Sequence, residues 1–196
     1  MSAPPSFPAT ELLRRLRTET GALHHELDAL VSRTVASSRE VYGAFLTASL
    51  CAVSSIERGI EKHLGAEYRA KREELLLADL AALRIPAPSS AFHFEPTSEA
   101  SAYGCAYVVE GSALGGIVLA NRGASALGGR APSSYLQCGN AHPGGRWRWF
   151  LSELAAFEQR TRRTDHDEAC AAACSAFQQY SLAFQLILKA PVARGV

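Results

Sequence analysis

The stretch YVVEGSALGGIVLANR, Tyr107 to Arg122, is an apolar run broken by Gly111, Gly115 and Gly116, with Gly104 just before it. Each glycine inside a helix costs about 1 kcal/mol relative to alanine. A chain that gathers several of them is making room for something that approaches its backbone. On a helical wheel Gly104, Gly111 and Gly115 fall within about 40° of one another, and Ala106, Val109, Ala113, Ile117 and Ala120 take the opposite side. The stretch therefore reads as a helix with one bare face and one apolar packing face. Two partners suit the bare face: another helix packed through small residues, or a ligand. A phosphate suits it less, because GSALGG matches neither GxGxxG nor GxxxxGK(S/T), and no strand precedes it.

The same helical period runs outward in both directions. Leu12, Leu13, Leu16, Leu23, Leu27, Leu30 and Val31 recur at helical spacing behind Thr10 as N-cap. A second helix is expected from Ser37, where Ser37 and Glu40 have capping-box spacing, with an apolar stripe through Val41, Phe45, Ile56, Ile60 and Leu64. A third is expected over Glu67 to Leu83, and Pro86, Pro88 and Pro96 then interrupt the pattern until Thr97 or Ser98 opens the glycine helix. Gly123 to Gly145 is rich in turn formers and reads as a connection with one short helix around Ser133 to Gln137. Arg146 to Arg162 and Asp165 to Lys189 are expected as the last helices. No run of β-branched residues alternates with polar ones between turn signals. The expected fold is a single-domain all-α bundle over residues 11–189, with tails at 1–10 and 190–196.

Composition narrows the partners. The chain has 196 residues, 47% of them hydrophobic, enough for one sizeable core. Lys+Arg number 20 and Asp+Glu 19, for a net charge of +1, without the basic run expected of a nucleic-acid or anionic-membrane binder. The apolar runs stop short of the ~20 residues that span a bilayer. MSAPPSFPAT lacks a basic segment followed by an apolar one, so a soluble cytoplasmic protein is expected. The five cysteines, Cys51, Cys105, Cys138, Cys170 and Cys174, are odd in number and lie in apolar surroundings, as reduced core thiols do. Cys170 and Cys174 have i, i+4 spacing, but no second Cys or His pair stands at zinc-site spacing.

Chemistry is carried by His24 and His25. The leucine stripe of the first helix places His24 on its flank, about 75° from the centre, and His25 nearly opposite. Only His24 is placed to meet a buried ligand; the alternative is a core-edge histidine bonded to a carbonyl.

Taken together, LRTETGALHHELD (Leu16 to Asp28) resembles the LRxxTxxxHxxL(D/E) signature of heme oxygenases, and YVVEGSALGG resembles the distal-helix segment of their bacterial, biliverdin-producing branch, which includes the type associated with bacteriophytochromes. The likeness continues through Tyr42 and Phe45, the RREELLLADLAAL-like third helix in Tyr68 to Leu83, SYLQCG (Ser134 to Gly139) before Trp147, and the final helix with Phe177. It spans about Leu12 to Phe184.

The resemblance implies a heme sandwiched between the first helix, with His24 as the iron ligand, and a kinked distal helix. Gly111 and Gly115 there let the backbone approach heme and bound O2, and Gly116 permits the kink. It implies oxidative opening of heme to biliverdin, CO and ferrous iron, with heme as both substrate and cofactor. Many members carry an aspartate where this chain has Ser112, and Glu110 lies about 160° around the helix from that position. Ser112 thus joins Gly111, Gly115 and Gly116 as a catalytic candidate, in a relay of water and other residues. Arg17 and Tyr107 are candidate partners of the heme propionates, with Arg160, Arg162 and Arg163 as weaker ones. Electrons must come from a ferredoxin or a flavin-dependent reductase, since the chain has no flavin or iron–sulfur motif; a bilin-accepting phytochrome is a further expected partner. Two other classes stay open: a non-catalytic heme carrier or sensor of the same fold, and a helical protein that binds another small molecule or a protein partner.

Overall fold

The computed structural model describes residues 10–32, 38–88, 93–126, 131–138 and 145–189. Within them the chain forms α1 (Glu11–Ser32), α2 (Arg39–Leu64), a single 3-10 turn (Ala66–Tyr68), α3 (Arg72–Ala82), α4 (Glu99–Ala126), α5 (Gly145–Arg160) and α6 (Arg163–Lys189). No strand occurs among the described residues. The expected tails lie outside them, apart from Thr10.

Most helix ends follow from local side chains. The Thr10 hydroxyl accepts from the Leu13 amide at 3.3 Å and caps α1, and Glu158 of α5 accepts from the Leu12 amide at 3.1 Å. Ser98 and Ser101 cap α4 reciprocally, each hydroxyl accepting from the other's amide at 2.9 and 3.0 Å. The cap of α2 is Ser38, whose hydroxyl accepts from Val41 at 3.3 Å; the expected cap, Ser37, lies outside the described residues. At its far end α2 stops on Gly65, whose φ of 108° suits glycine alone without strain.

The third helix departs from expectation. Instead of running from Glu67, the chain makes the 3-10 turn and passes through Lys71 in a left-handed conformation (φ 56°) before α3 begins at Arg72. The cause lies on another helix. Glu57 of α2 accepts from the amides of Ala70 and Arg72 at 3.1 and 2.9 Å, satisfying the donors that open α3. Residues 131–138 form hydrogen-bonded turns rather than the expected short helix. They are pinned from outside: Asp79 accepts from the amides of Ser134 and Tyr135 at 3.1 and 2.9 Å, and the Tyr42 hydroxyl donates to the Pro132 carbonyl at 2.6 Å.

The core centres on α2, buried along nearly its whole length from Tyr42 to Ile60, with α4 and α6 packed on it. α1 lies mainly against α6, burying Leu12, Leu13, Leu16 and Thr20. Beyond Thr20 the residues of α1 are half-buried or exposed. That change along α1 marks where the packed bundle gives way to a cavity.

Candidate functional site

The helices enclose a cavity of about 550 Å³, within the usual size of small-molecule and cofactor sites. α1 contributes Arg17, His24 and Leu27; α4 contributes Tyr107, Gly111, Ser112, Gly115 and Gly116; α6 contributes Phe177, Tyr180 and Phe184. Arg17 and His24 of α1 and Tyr107, Gly111, Ser112, Gly115 and Gly116 of α4 therefore line one space. His25 does not. It is exposed, as the wheel predicts.

The glycines divide into two kinds. A methyl group at Gly104 would collide with the carbonyl of Ala169 on α6, and one at Gly116 with the carbonyl of Leu136. Those two permit close backbone packing. At Gly115 a methyl group would meet nothing within 4 Å, and at Gly111 the nearest atom would be the Trp147 ring at 3.7 Å. Gly111 and Gly115 thus present bare backbone to the cavity. Gly104 shares their azimuth but not their surroundings, which corrects its grouping with the ligand-facing glycines.

His24 stands at the open side of the cavity with 57% of its side chain accessible. Its Nδ1 lies 3.1 Å from the Asp28 carboxylate one turn on, and its ring meets Phe177 edge-on at 5.6 Å between centroids. With Asp28 holding Nδ1–H, the Nε2 lone pair is the one left for a ligand. Both histidines are exposed, but only His24 borders the cavity, because adjacent helix positions differ by about 100°.

Arg17 is exposed beside the half-buried Tyr107. Burial pushes the Tyr107 phenol up from its ordinary value, while Thr20 and the Arg17 charge pull the other way. Ser112 is exposed, and its hydroxyl donates to its own helix, to the Val109 carbonyl at 2.8 Å. Arg160 is committed elsewhere, in an ion pair with Glu99 at 2.5 Å and over the Phe157 ring; neither it nor Arg162 nor Arg163 lines the cavity.

Glu110 turns away from Ser112, in line with the wheel. It is 3% exposed and accepts from Arg146 of α5 at 2.8 and 2.9 Å, with Arg72 of α3 at 3.2 Å. Arg72 in turn donates to Glu57 at 3.2 Å. Burial alone would disfavour the Arg72 charge, but Glu110 and Glu57 outweigh it and hold the guanidinium protonated. Removing one member of such a buried set strands its partner, at a cost of about 3–5 kcal/mol. Arg146 also donates to the Tyr68 carbonyl at 2.6 Å. These bonds fix the first turn of α5 and so seat Trp147 against Gly111.

Arg72, Tyr135, Trp147 and Tyr180 line the cavity without having been singled out from the sequence. A signal was present for two of them: Arg72 with Glu57 and Glu110 are charges on apolar helix faces, and Tyr180 interrupts the stripe of Phe177 and Phe184 with a hydroxyl. Among the described residues no group of three or more His, Cys, Asp or Glu is placed to hold a metal ion. Cys170 and Cys174 are free thiols; burial pushes Cys170 up to about 12, as expected of a core thiol. No described helix is long and apolar enough to cross a membrane.

Comparison with known proteins locates this architecture. No family model matches the chain, and no curated protein does. Among solved structures it is similar to the heme oxygenase from Neisseria meningitidis, studied with NO and CO bound. The identity is 24%, the TM-score 0.70, and the alignment covers 94% of this chain and 98% of the other. The chain has the fold of the heme oxygenases.

Proposed function

We propose that the cavity binds heme and that the protein opens it oxidatively to biliverdin, CO and ferrous iron, using O2 and electrons from an external donor. One observation carries the reading: His24 on α1 and the bare backbone of Gly111 and Gly115 on α4 line the same largely apolar cavity. Heme, when bound, supplies the iron that activates O2 and the porphyrin edge that is attacked. The remaining roles belong to this chain.

The residues present suit that group. His24 offers Nε2, and Asp28 on Nδ1 orients the ring and strengthens it as a ligand. A neutral imidazole lacks the electron push of a thiolate, which favours O–O cleavage. Phe177 packs on the histidine ring and Phe184 extends the apolar wall on the same helix. Gly111 and Gly115 leave backbone where side chains would otherwise stand off a flat ring. Arg17 and Tyr107 at the mouth supply a cation and a hydroxyl for the propionates. Electrons come from a ferredoxin or flavin-dependent reductase, and a bilin-accepting phytochrome is one taker of the product.

A single assay tests this. Hemin added to the purified protein gives a histidine-ligated Soret spectrum, and supplying electrons with catalase present produces a biliverdin band. His24→Ala changes the spectrum and His25→Ala leaves it; equal effects from both would break the assignment. One observation favours a second reading, a non-catalytic heme carrier or sensor: Ser112 stands where a carboxylate is common among relatives, and its hydroxyl is bonded to Val109. A ferrous complex that persists under electron supply selects that reading. Absence of any heme spectrum sinks both.

A further inference from the structure

Cys170 and Cys174 lie outside the cavity. α6 reads ACAAACSA over Ala169 to Ala176, so the two thiols stand one turn apart on one side of the helix. We propose that this pair is a two-coordinate thiolate site for a soft metal cation, monovalent copper, independent of what the cavity binds.

Both thiols converge on one residue of α1. The Cys174 thiol donates to the Glu19 carbonyl at 3.6 Å, and the Cys170 thiol stands beside the Glu19 carboxylate. Residues one helical turn apart have Cβ atoms about 5–6 Å apart. With a metal–thiolate bond of about 2.3 Å, as in zinc sites, two sulfurs that share one ion in a line stand about 4.6 Å apart. Rotamer choice brings the pair within that reach. Neither thiol is in a disulfide. Cys170 is fully buried and Cys174 is part-exposed, so an ion enters past Cys174. Space alone does not ask for sulfur here, since the same stretch fills its buried positions with Ala169, Ala172, Ala173 and Ala176.

The donor set selects the metal. Among the described residues no third His, Cys, Asp or Glu is placed to complete a metal site, and zinc asks for four ligands. Hard cations prefer several oxygen ligands. Two thiolates suit a soft ion that takes few ligands, and among biological metals that is monovalent copper. Charge points the same way: Glu19 and Asp167 outnumber Arg15 in the ion pairs beside the thiols, which draws a cation rather than an anion. Burial, and then Glu19, holds the Cys170 proton in place, so only an ion with a strong bond to sulfur displaces it. Binding releases both thiol protons to solvent and leaves the oxidation state of copper unchanged.

The full chain, reduced and kept under nitrogen, is titrated against monovalent copper held by a coloured chelator. One copper per chain transfers to the protein, and X-ray absorption shows two sulfur neighbours. Cys174→Ser weakens the affinity by about 100-fold or more without altering the helical circular dichroism, since that position is part-exposed. Cys170→Ala does the same; if that buried change unfolds the chain, Cys174→Ser decides. Cys138→Ala, in the cavity, leaves copper affinity unchanged. No transfer to the native protein, undiminished transfer to Cys174→Ser, nitrogen ligation in the absorption spectrum, or loss of binding with Cys138→Ala overturns the site.

Discussion

Gly104 and Gly115 lie eleven residues apart on α4, about 20° from one another around its axis, yet they face different worlds. Gly104 is pressed against the Ala169 backbone of α6, whereas a side chain at Gly115 would enter open space. The first end of α4 is bundle core, carrying buried Ser101, Tyr103, Cys105 and Ala106. The second end carries exposed Ser112, Leu114 and Gly115 beside the cavity. One residue type on one face therefore has two surroundings: close backbone packing at Gly104, and open space beside the cavity at Gly115. The difference comes from what stands opposite, not from α4 itself.

Substitutions can break that comparison. Gly104→Val has the largest expected effect, because its Cβ would meet backbone that cannot swing aside; it should cost about 3 kcal/mol in a denaturant melt. A loss no larger than at Gly115 would show that both glycines face free space. Gly115→Leu should leave stability nearly unchanged but weaken hemin binding by about tenfold or more in a Soret titration, since the side chain fills the space that the ligand needs. Undiminished hemin affinity would return Gly115 to a packing role. Smallest is Gly115→Ala, which removes a helix-weakening glycine without a clash and should stabilise the ligand-free protein by up to about 1 kcal/mol.

The all-helical plan was legible because helical period, caps and prolines act within a few residues of one another. His24 was legible on the same ground: its azimuth follows from the leucines of its own helix. The start of α3 was not, because its opening amides are satisfied by Glu57 on α2. Nor was the short stretch 131–138, held by Asp79 and Tyr42. The 160° between Glu110 and Ser112 was legible from α4 alone, whereas the ion pairs of Glu110 with Arg72 and Arg146 were not, since those partners stand on α3 and α5.

The sequence by itself determined that this chain is a helical bundle, that His24 and His25 point to different sides of α1, and that α4 has one bare face. Those properties depend on the geometry of a single helix, repeated every 3.6 residues. Only the tertiary structure decided which glycines on that face pack and which stay open, and which buried charges stand around the closed end of the cavity. Those outcomes depend on residues far along the chain, Ala169 opposite Gly104, Leu136 opposite Gly116 and Arg146 beside Glu110, and no local period encodes what folds back from such a distance.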